Sequence, residues 1–130
     1  MIVGIGADLL QLKRLEAAYE RTQGRLAKRV LGDEELIVFE QRLKRNHKRG
    51  IAYLATRFAA KEAFSKALGT GLRAPATFQN IAVCHDVLGK PMLLLAPELQ
   101  AFLDTKNIKQ THISISDEKT LAAAFVVLET

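Results

Sequence analysis

A carboxylate on an apolar helix face is the first feature of this sequence that could do chemistry. Residues 51–68 are rich in alanine and contain neither proline nor glycine, a composition that predicts a helix. At about 100° per residue, Glu62 falls in one stripe with Ile51, Ala55 and Phe58. A carboxylate among apolar neighbours is costly to desolvate unless it is paired or binds a cation. The pattern therefore predicts a cation near Glu62.

Two sources of that cation are open. Lys66 lies four residues after Glu62, the favourable order for a surface ion pair, and the buried face of the helix would then be its alanine side. The other source is a divalent metal shared with a second carboxylate. Asp8 ends a short alternating strand over residues 2–7, although an aspartate there is also a typical helix N-cap. Two such carboxylates suit Mg²⁺, which keeps waters and takes further ligands from substrate phosphates.

Groups suited to holding a phosphate lie close to Glu62 in the sequence. The same helix carries the cations Arg57, Lys61 and Lys66. Gly69-Thr-Gly71 follows at once, and glycine lets a backbone approach a ligand closely, although it is equally typical of a helix C-cap. The helix is thus a candidate for binding a phosphate-bearing ligand.

A third polar cluster lies on a strand predicted over residues 112–116. Strand alternation places His112, Ser114 and Ser116 on one face and two isoleucines on the other. The polar face either lines a cleft, where a histidine can donate to phosphate, or simply meets water.

The elements that must position these residues mix helix and strand without regular βαβ alternation. Helices are expected over about 9–29 with an interruption near Gly24, from Asp33 through Leu43, over 51–68, and from Pro97 to about Lys106. Arg42 to Gly50 is expected to be a polar connection. Strands are expected over 2–7, 78–85, 91–95, 112–116 and 122–128. This order predicts one α+β domain, residues 1–130, with a mainly antiparallel sheet packed against the long alanine-rich helix.

The net charge of +5 is concentrated in one third of the chain. Residues 13–49 hold eleven Lys or Arg against six acids, and the remainder is neutral. Such a surface attracts a nucleic acid, an acidic protein or a phosphate-rich small molecule, or is merely a solvated helix face. The single cysteine excludes an intrachain disulfide. With neither a long apolar run nor a signal-peptide pattern, we expect a cytosolic protein without membrane contact.

Several motifs, in this order, resemble those of the holo-[acyl-carrier-protein] synthase family. These are the short, single-domain phosphopantetheinyl transferases of bacterial fatty acid synthesis. The motifs are Gly4-Ile-Gly-Ala-Asp8 with Arg14, the block from Arg57-Phe-Ala-Ala-Lys-Glu-Ala63 to Gly71, Gly89-Lys-Pro91, and His112-Ile-Ser-Ile-Ser-Asp117. Together they span nearly the whole chain.

The resemblance implies transfer of 4′-phosphopantetheine from coenzyme A to a serine of apo acyl carrier protein, with release of adenosine 3′,5′-bisphosphate. It implies that Asp8 and Glu62 hold Mg²⁺ and that Lys66 stabilises charge at the reacting phosphate. Coenzyme A would be bound by a further set of residues, namely Lys48, Arg57, Lys61, Gly69 and His112.

The resemblance also gives the basic segment a partner, since the family docks the acidic carrier protein on its first helix. The residues expected to dock it are Arg14, Arg21 and Arg25 on one helix face, supported by Lys13 and Lys28. It further implies a homotrimer with sites between subunits. Two other function classes fit the residues: a small basic nucleic-acid-binding module, and an inactive homologue that only binds carrier protein.

Overall fold

The computed structural model describes all 130 residues and has an α+β fold, as predicted. The strands, in chain order, are β1 (Ile2–Gln11), β2 (Ile81–His85), β3 (Pro91–Leu95), β4 (Gln110–Asp117) and β5 (Leu121–Glu129). The helices are α1 (Leu12–Arg21), α2 (Arg25–Val30), α3 (Asp33–Arg45), α4 (His47–Leu68) and α5 (Pro97–Thr105). A short 3₁₀ helix, Phe78–Asn80, precedes β2.

The strands form two antiparallel sheets. One has the order β1-β5-β4, and the other is the β2-β3 hairpin. In the larger sheet Ile5 pairs with Val127, which pairs in turn with His112 on the other side. These three residues form one row across the sheet, and because the strand period is two they lie on the same face. The opposite face of the sheet packs against α4.

The helix α4 is central and contributes to two apolar cores. Its first half packs with Leu15 of α1 and Phe39 of α3, and its second half packs with Leu103 of α5 and Val126 of β5. Nearly every side of the helix is therefore buried. The expectation of a single buried face is wrong, because a helix packed against a sheet and four other helices has little solvent-exposed surface left.

The N-terminal strand is longer than predicted, and this changes the position of Asp8. β1 continues to Gln11, which directly precedes α1, so Asp8 lies inside the strand opposite Ala124. The alternative of Asp8 as a helix N-cap is therefore wrong. Pairing with β5 extends the strand through Leu9 and Leu10, whose apolar side chains alone also suit a helix.

The predicted helix over 9–29 consists of two helices. α1 ends at Arg21, Gly24 has the left-handed φ of +83°, and α2 begins at Arg25. Arg25 therefore does not extend the face that Arg14 and Arg21 share. Glycine allows this turn because it has no Cβ to clash at positive φ.

The basic segment between the third helix and the alanine-rich helix is helical and not a loop. α3 continues to Arg45, and α4 begins at His47 after a single extended residue, Asn46. The Asn46 side chain accepts a hydrogen bond of 3.3 Å from the Arg49 amide and so caps α4. At the other end, Gly69 caps α4 with a φ of +84°, as predicted.

One of the two strands predicted near the middle of the chain begins later than expected. The segment from Phe78 to Asn80 is a 3₁₀ helix, because the Thr77 side chain accepts a 3.3 Å hydrogen bond from the Asn80 amide, and the strand begins only at Ile81.

None of the helices is long and apolar enough to span a bilayer.

Candidate active site

Two glycines bring β1 into direct contact with α4. A Cβ at Gly4 would collide with the carbonyl oxygen of Ala67, and one at Gly6 would collide with that of Ala63. Gly4, Gly6 and Asp8 lie on the same face of the strand, because alternate residues point the same way. The close approach therefore brings Asp8 to the side of α4 that carries Glu62 and Lys66.

Asp8 and Lys66 form an ion pair at this contact. Lys66 Nζ donates to Asp8 Oδ1 at 3.0 Å and to the Ala7 carbonyl oxygen at 3.1 Å. The Asp8 side chain is 15% exposed, whereas that of Lys66 is 51% exposed. The expected Glu62–Lys66 surface pair is replaced by a bond from Lys66 to the strand, and the lysine remains open to solvent.

Glu62 lies beside this pair and is half-buried. Burial raises the pKa of Glu62, the negative charge of Asp8 raises it further, and Lys66 opposes both. Two carboxylates that repel each other, one of them partly desolvated, form a donor set that a hard divalent cation satisfies. The residues present therefore fit a Mg²⁺ ion.

Glu62 opens into a groove that we call the glutamate groove. Its volume is about 820 Å³, and it runs between α1, α2 and the segment 72–78. Leu15, Leu26, Phe58 and Phe78 make its walls apolar. Exposed arginines also line it, namely Arg14, Arg21 and Arg29. The groove thus combines apolar walls, exposed arginines and one acid. Such a groove suits a partner that has an acidic surface and inserts an uncharged chain into the groove.

The predicted docking residues do not lie on one common surface. Arg14 and Arg21 line the glutamate groove. Lys13 lines a separate cavity of about 640 Å³ at the start of α4, together with Lys48 and Lys119. Arg25 and Lys28 are exposed on α2 and line neither cavity.

A second cationic pocket, the arginine pocket, lies on another side of α4. It has a volume of about 450 Å³ and is enclosed by α3, α4, the β2-β3 hairpin and the end of β4. Its charged and titratable lining residues are Arg42, Arg49, Tyr53, Arg57, His85 and Asp117. Three guanidinium groups against one carboxylate make it a site for an anion.

Arg57 is the most buried cation of the arginine pocket, at 8% exposure. Its guanidinium stacks 4.0 Å above the Tyr53 ring and donates to Thr56 Oγ1 at 3.0 Å. Its Nε is buried without a hydrogen-bond partner. Burial is the main cause that lowers the pKa of Arg57. A buried cation with donors to spare is prepared for an anionic ligand.

The predicted contact of Lys61 with coenzyme A is wrong. It is fully buried and donates to Glu35 Oε1 at 2.6 Å, to the Val30 carbonyl at 2.6 Å and to the Phe78 carbonyl at 3.1 Å. Burial lowers the pKa of Lys61, and the charge of Glu35 opposes this effect. All three donor positions of the ammonium are occupied, so Lys61 joins α4 to its neighbours and has no capacity for coenzyme A.

The remaining predicted ligands lie apart from one another. His112 is exposed on the outer face of the sheet, where its Nε2 is 2.6 Å from Glu129 Oε1. Lys48 is exposed near the start of α4, and Gly69 is the exposed cap at its other end. Within one chain, none of the three lines the arginine pocket.

Sequence reasoning missed most of the arginine pocket. The sequence pattern places Arg42 and Arg49 in a basic, polar connection, and it assigns His85 no role in ligand binding. The missed signal is helical spacing, because Arg49, Tyr53 and Arg57 follow each other at four-residue intervals. With the helix begun at His47, these three fall on one face.

A family model covers most of the chain. The model of the 4′-phosphopantetheinyl transferase superfamily matches residues 4–126. The chain therefore belongs to that superfamily.

Individual relatives narrow the assignment. The chain is 53% identical over 128 residues to the holo-[acyl-carrier-protein] synthase of Polynucleobacter asymbioticus, with 98% of each chain covered. It matches the crystal structure of the holo-[acyl-carrier-protein] synthase of Neisseria meningitidis with a TM-score of 0.92 and 43% identity, covering both chains fully. The synthase of Bacillus anthracis, solved in complex with CoA (3′,5′-ADP), matches with a TM-score of 0.80 and 38% identity over 100% of this chain and 98% of that one. Within the superfamily, the chain is a member of the holo-[acyl-carrier-protein] synthase family.

Proposed function

We propose that this protein transfers 4′-phosphopantetheine from coenzyme A to a serine of apo acyl carrier protein, in fatty acid biosynthesis. The observation that carries the proposal is the Asp8–Lys66 pair beside Glu62, at the end of an apolar groove lined by the arginines of α1. The names of the similar proteins, holo-[acyl-carrier-protein] synthases, support the same reaction, and the structure of one of them contains CoA (3′,5′-ADP).

The chemistry follows from the charges at this site. The serine oxygen forms a bond to the phosphorus of the pantetheine-side phosphate, the bond from that phosphorus to the bridging oxygen breaks, and adenosine 3′,5′-bisphosphate leaves. Asp8 and Glu62 would hold a Mg²⁺, which when bound supplies positive charge to the diphosphate. Lys66, exposed and already oriented by Asp8, would donate to the reacting phosphate. The serine proton passes to a carboxylate or to water.

The adenosine end of coenzyme A would be held by the arginine pocket. Arg57 precedes Glu62 by five residues, which is about 140° around the helix, so the two side chains leave α4 on different sides. Accordingly, the arginine pocket and the glutamate groove share no lining residue. This separation favours a site assembled between subunits, in which one copy holds the adenosine phosphates and its neighbour supplies Asp8 and Glu62.

The outer face of the larger sheet supports such an assembly. Ile5 is 61% exposed, Leu9 is 68% exposed and Phe125 is 46% exposed, and all three lie on this face. His112 lies in the same row as Ile5. An apolar sheet face of this kind is typical of a subunit contact. We propose a homotrimer in which this face is covered and His112 reaches the coenzyme of the shared site.

The acidic carrier protein would dock on α1. Arg14 and Arg21 are seven residues apart on one helix face, both are exposed, and both line the glutamate groove. Docking at these arginines would direct a serine on the partner toward Glu62. Lys13, Arg25 and Lys28 add long-range attraction from neighbouring surfaces.

The test is a mass measurement on the acceptor. The protein is incubated with coenzyme A, Mg²⁺ and an apo acyl carrier protein, and the carrier is weighed by mass spectrometry. We expect a mass gain of one phosphopantetheine and none when the acceptor serine is replaced by alanine. If the carrier binds but gains no mass, the chain is an inactive homologue; if it neither binds nor gains mass, the proposal is wrong.

A further inference from the structure

The arginine pocket contains a titratable side chain that the transfer chemistry above does not use. His85 is the last residue of β2, and its exposed ring lines the pocket together with three arginines. It is close enough to Arg57 and Arg42 for both positive charges to act on it. The pocket is therefore rich in positive charge even before the histidine takes up a proton.

Every element around His85 brings charged or titratable groups to it. Those lining the arginine pocket are Arg42 of α3, Arg49, Tyr53 and Arg57 of α4, and Asp117 of β4. The neighbour of His85 on the β2-β3 hairpin is Asp86, whose carboxylate accepts hydrogen bonds from the backbone amides of Leu88 and Lys90. An adjoining cavity of about 450 Å³, which His85 also lines, adds the acids at the start of α3, namely Asp33, Glu34 and Glu35.

Among these groups the arginines dominate. Desolvation is the first cause that lowers the pKa of His85, and the charges of Arg57 and Arg42 lower it further, against a weaker opposing effect of Asp86. The imidazole is therefore neutral in the free protein near pH 7. A phosphate in the pocket would offset the positive charge of the arginines and place a negative charge near the imidazole, which favours its protonated form.

We propose that His85 takes up one proton from solvent when the 3′-phosphate of coenzyme A, its only phosphate monoester, enters the arginine pocket. His85 then becomes the fourth cation of that site. This inference rests on the proposed function, which supplies the ligand. It makes His85 a specificity-determining residue, because a protonated imidazole favours a phosphate dianion over a coenzyme that lacks the monoester.

The expected pH dependence follows from linkage. The ligand prefers protonated His85, so affinity rises as pH falls through the range between the bound-state and free-state pKa values of His85, and levels off below the free-state value. Each pKa unit between the two states is a factor of ten in affinity. A phosphate monoester itself titrates with a pKa near about 6, so the effect must be read as a difference between the wild type and a variant.

The experiment is calorimetric titration of the full chain with coenzyme A and with dephospho-coenzyme A, which lacks the monoester. Titrations in buffers of different ionisation enthalpy give the number of protons taken up on binding. The variants are His85→Asn and, as a matched control, His47→Asn, which changes an exposed histidine paired with Glu16 outside the arginine pocket. For coenzyme A, we expect the wild type and His47→Asn to take up more protons than His85→Asn.

The pH dependence of the affinity for coenzyme A is a second test of the same proposal. From pH 8 to pH 6.5, wild-type affinity for coenzyme A should rise at least about threefold more than that of His85→Asn. With dephospho-coenzyme A the two proteins should behave alike. Equal proton uptake in wild type and His85→Asn would overturn the inference, as would a difference that persists with dephospho-coenzyme A.

Two further measurements keep the outcomes distinct. His85→Lys carries a fixed charge, so it should bind coenzyme A without the pH-dependent gain; the same gain in this variant would contradict the inference. The mass assay on carrier protein tests the proposed function separately. A wild type that modifies the carrier but shows no uptake due to His85 refutes only the inference, whereas a wild type that does not bind coenzyme A refutes the proposed function.

Discussion

Glu62 is unfavourable for folding, and the same residue is our proposed metal ligand. It lies on a helix whose other positions are mostly buried and apolar, and it faces a second carboxylate, Asp8. The sequence pattern marked this residue because an acid among apolar neighbours needs a compensating charge. Lys66 supplies part of that charge, and a metal bound in the working enzyme would supply the rest.

Replacement of Glu62 by glutamine should separate these two properties. We expect the transfer rate of Glu62→Gln to fall by at least about a hundredfold, because a metal ligand is lost while shape is kept. In metal-free buffer at pH 7.5 the variant should melt at a higher temperature than the wild type. The reason is that the raised pKa of Glu62 makes its ionised form costly in the folded state.

The sign of this stability effect can be checked by pH. Because the folded-state pKa of Glu62 is raised above the ordinary value of 4.5, its stabilising contribution is full below that value and is lost as pH rises through the folded-state pKa. The gap in melting temperature should therefore close as pH falls toward about 4. A lower melting temperature for Glu62→Gln at pH 7.5, or full transfer activity, would contradict the assigned site.

Lys61 is the opposite case, a charge that serves packing. Its replacement by methionine leaves Glu35 buried without its main partner, and we expect the free energy of unfolding to fall by about 3–5 kcal/mol in chemical denaturation. Lys44→Met, at an exposed position of α3, should change it by less than about 0.5 kcal/mol. Comparable small losses in both variants would mean that the buried pair contributes little.

At the scale of elements, the contact between β1 and α4 sets the geometry of the site. The glycines of β1 let the strand lie directly on the helix backbone, and Asp8 follows on the same strand face. The position of one carboxylate relative to the other is therefore fixed by packing of two elements far apart in sequence.

A methyl group at this contact should disturb stability and activity together. We expect Gly6→Ala to lose about 1–3 kcal/mol of unfolding free energy, because its Cβ would meet the Ala63 carbonyl and push the strand away. The rate of transfer should fall as well, since Asp8 would move with the strand. Gly32→Ala is the control for both measurements, because its Cβ would meet only the Glu35 Oε1 atom, at an ordinary contact distance of 3.8 Å. Unchanged activity in a folded Gly6→Ala protein would argue against Asp8 as a precisely placed ligand.

The helix α1 should act on the carrier protein alone. Charge reversal in Arg21→Glu should raise the KM for carrier protein by about tenfold or more while changing the KM for coenzyme A little, because the arginine lines the glutamate groove and not the arginine pocket. Lys44→Glu makes the same charge change on α3, away from both, and serves as the control. Equal effects on both substrates in steady-state kinetics would exclude α1 as the docking face.

At the scale of the whole molecule, a single copy of this chain separates the two halves of the proposed site. The arginine pocket and the glutamate groove lie on different sides of α4, and the outer sheet face between β1 and β4 exposes apolar side chains together with His112. The proposed assembly of copies through that face would account for both observations.

A charge on this face should prevent assembly and activity together. In light scattering coupled to size exclusion, we expect the wild type to elute as a trimer and Ile5→Glu to elute as a monomer at the same concentration and to lose transfer activity. Ile37→Glu, which changes a similarly exposed isoleucine of α3, should assemble and react as the wild type does. A monomeric wild type with full activity would refute the shared site.

Much of the local structure could be predicted from the sequence. The alanine-rich run and Gly69 predicted α4 and its end, Pro97 predicted the start of α5, and alternation predicted β4. These features depend on propensity, capping and period, which act between residues close in the chain. The same local pattern singled out Glu62 as an acid in the wrong surroundings for a simple surface helix.

What local patterns missed depends on contacts between distant segments. Pairing with β5 extended β1 past Asp8, and a single extended Asn46 allowed two helices where a basic loop was expected. Lys61 and Arg57 are both cations on the same helix, and the sequence pattern does not distinguish them. In the fold, Lys61 pairs with the buried carboxylate of Glu35, whereas Arg57 keeps a buried donor free for an anion. The residue types were determined by the sequence alone, whereas the tertiary structure decided which charges meet, because desolvation and pairing depend on the neighbours that packing supplies.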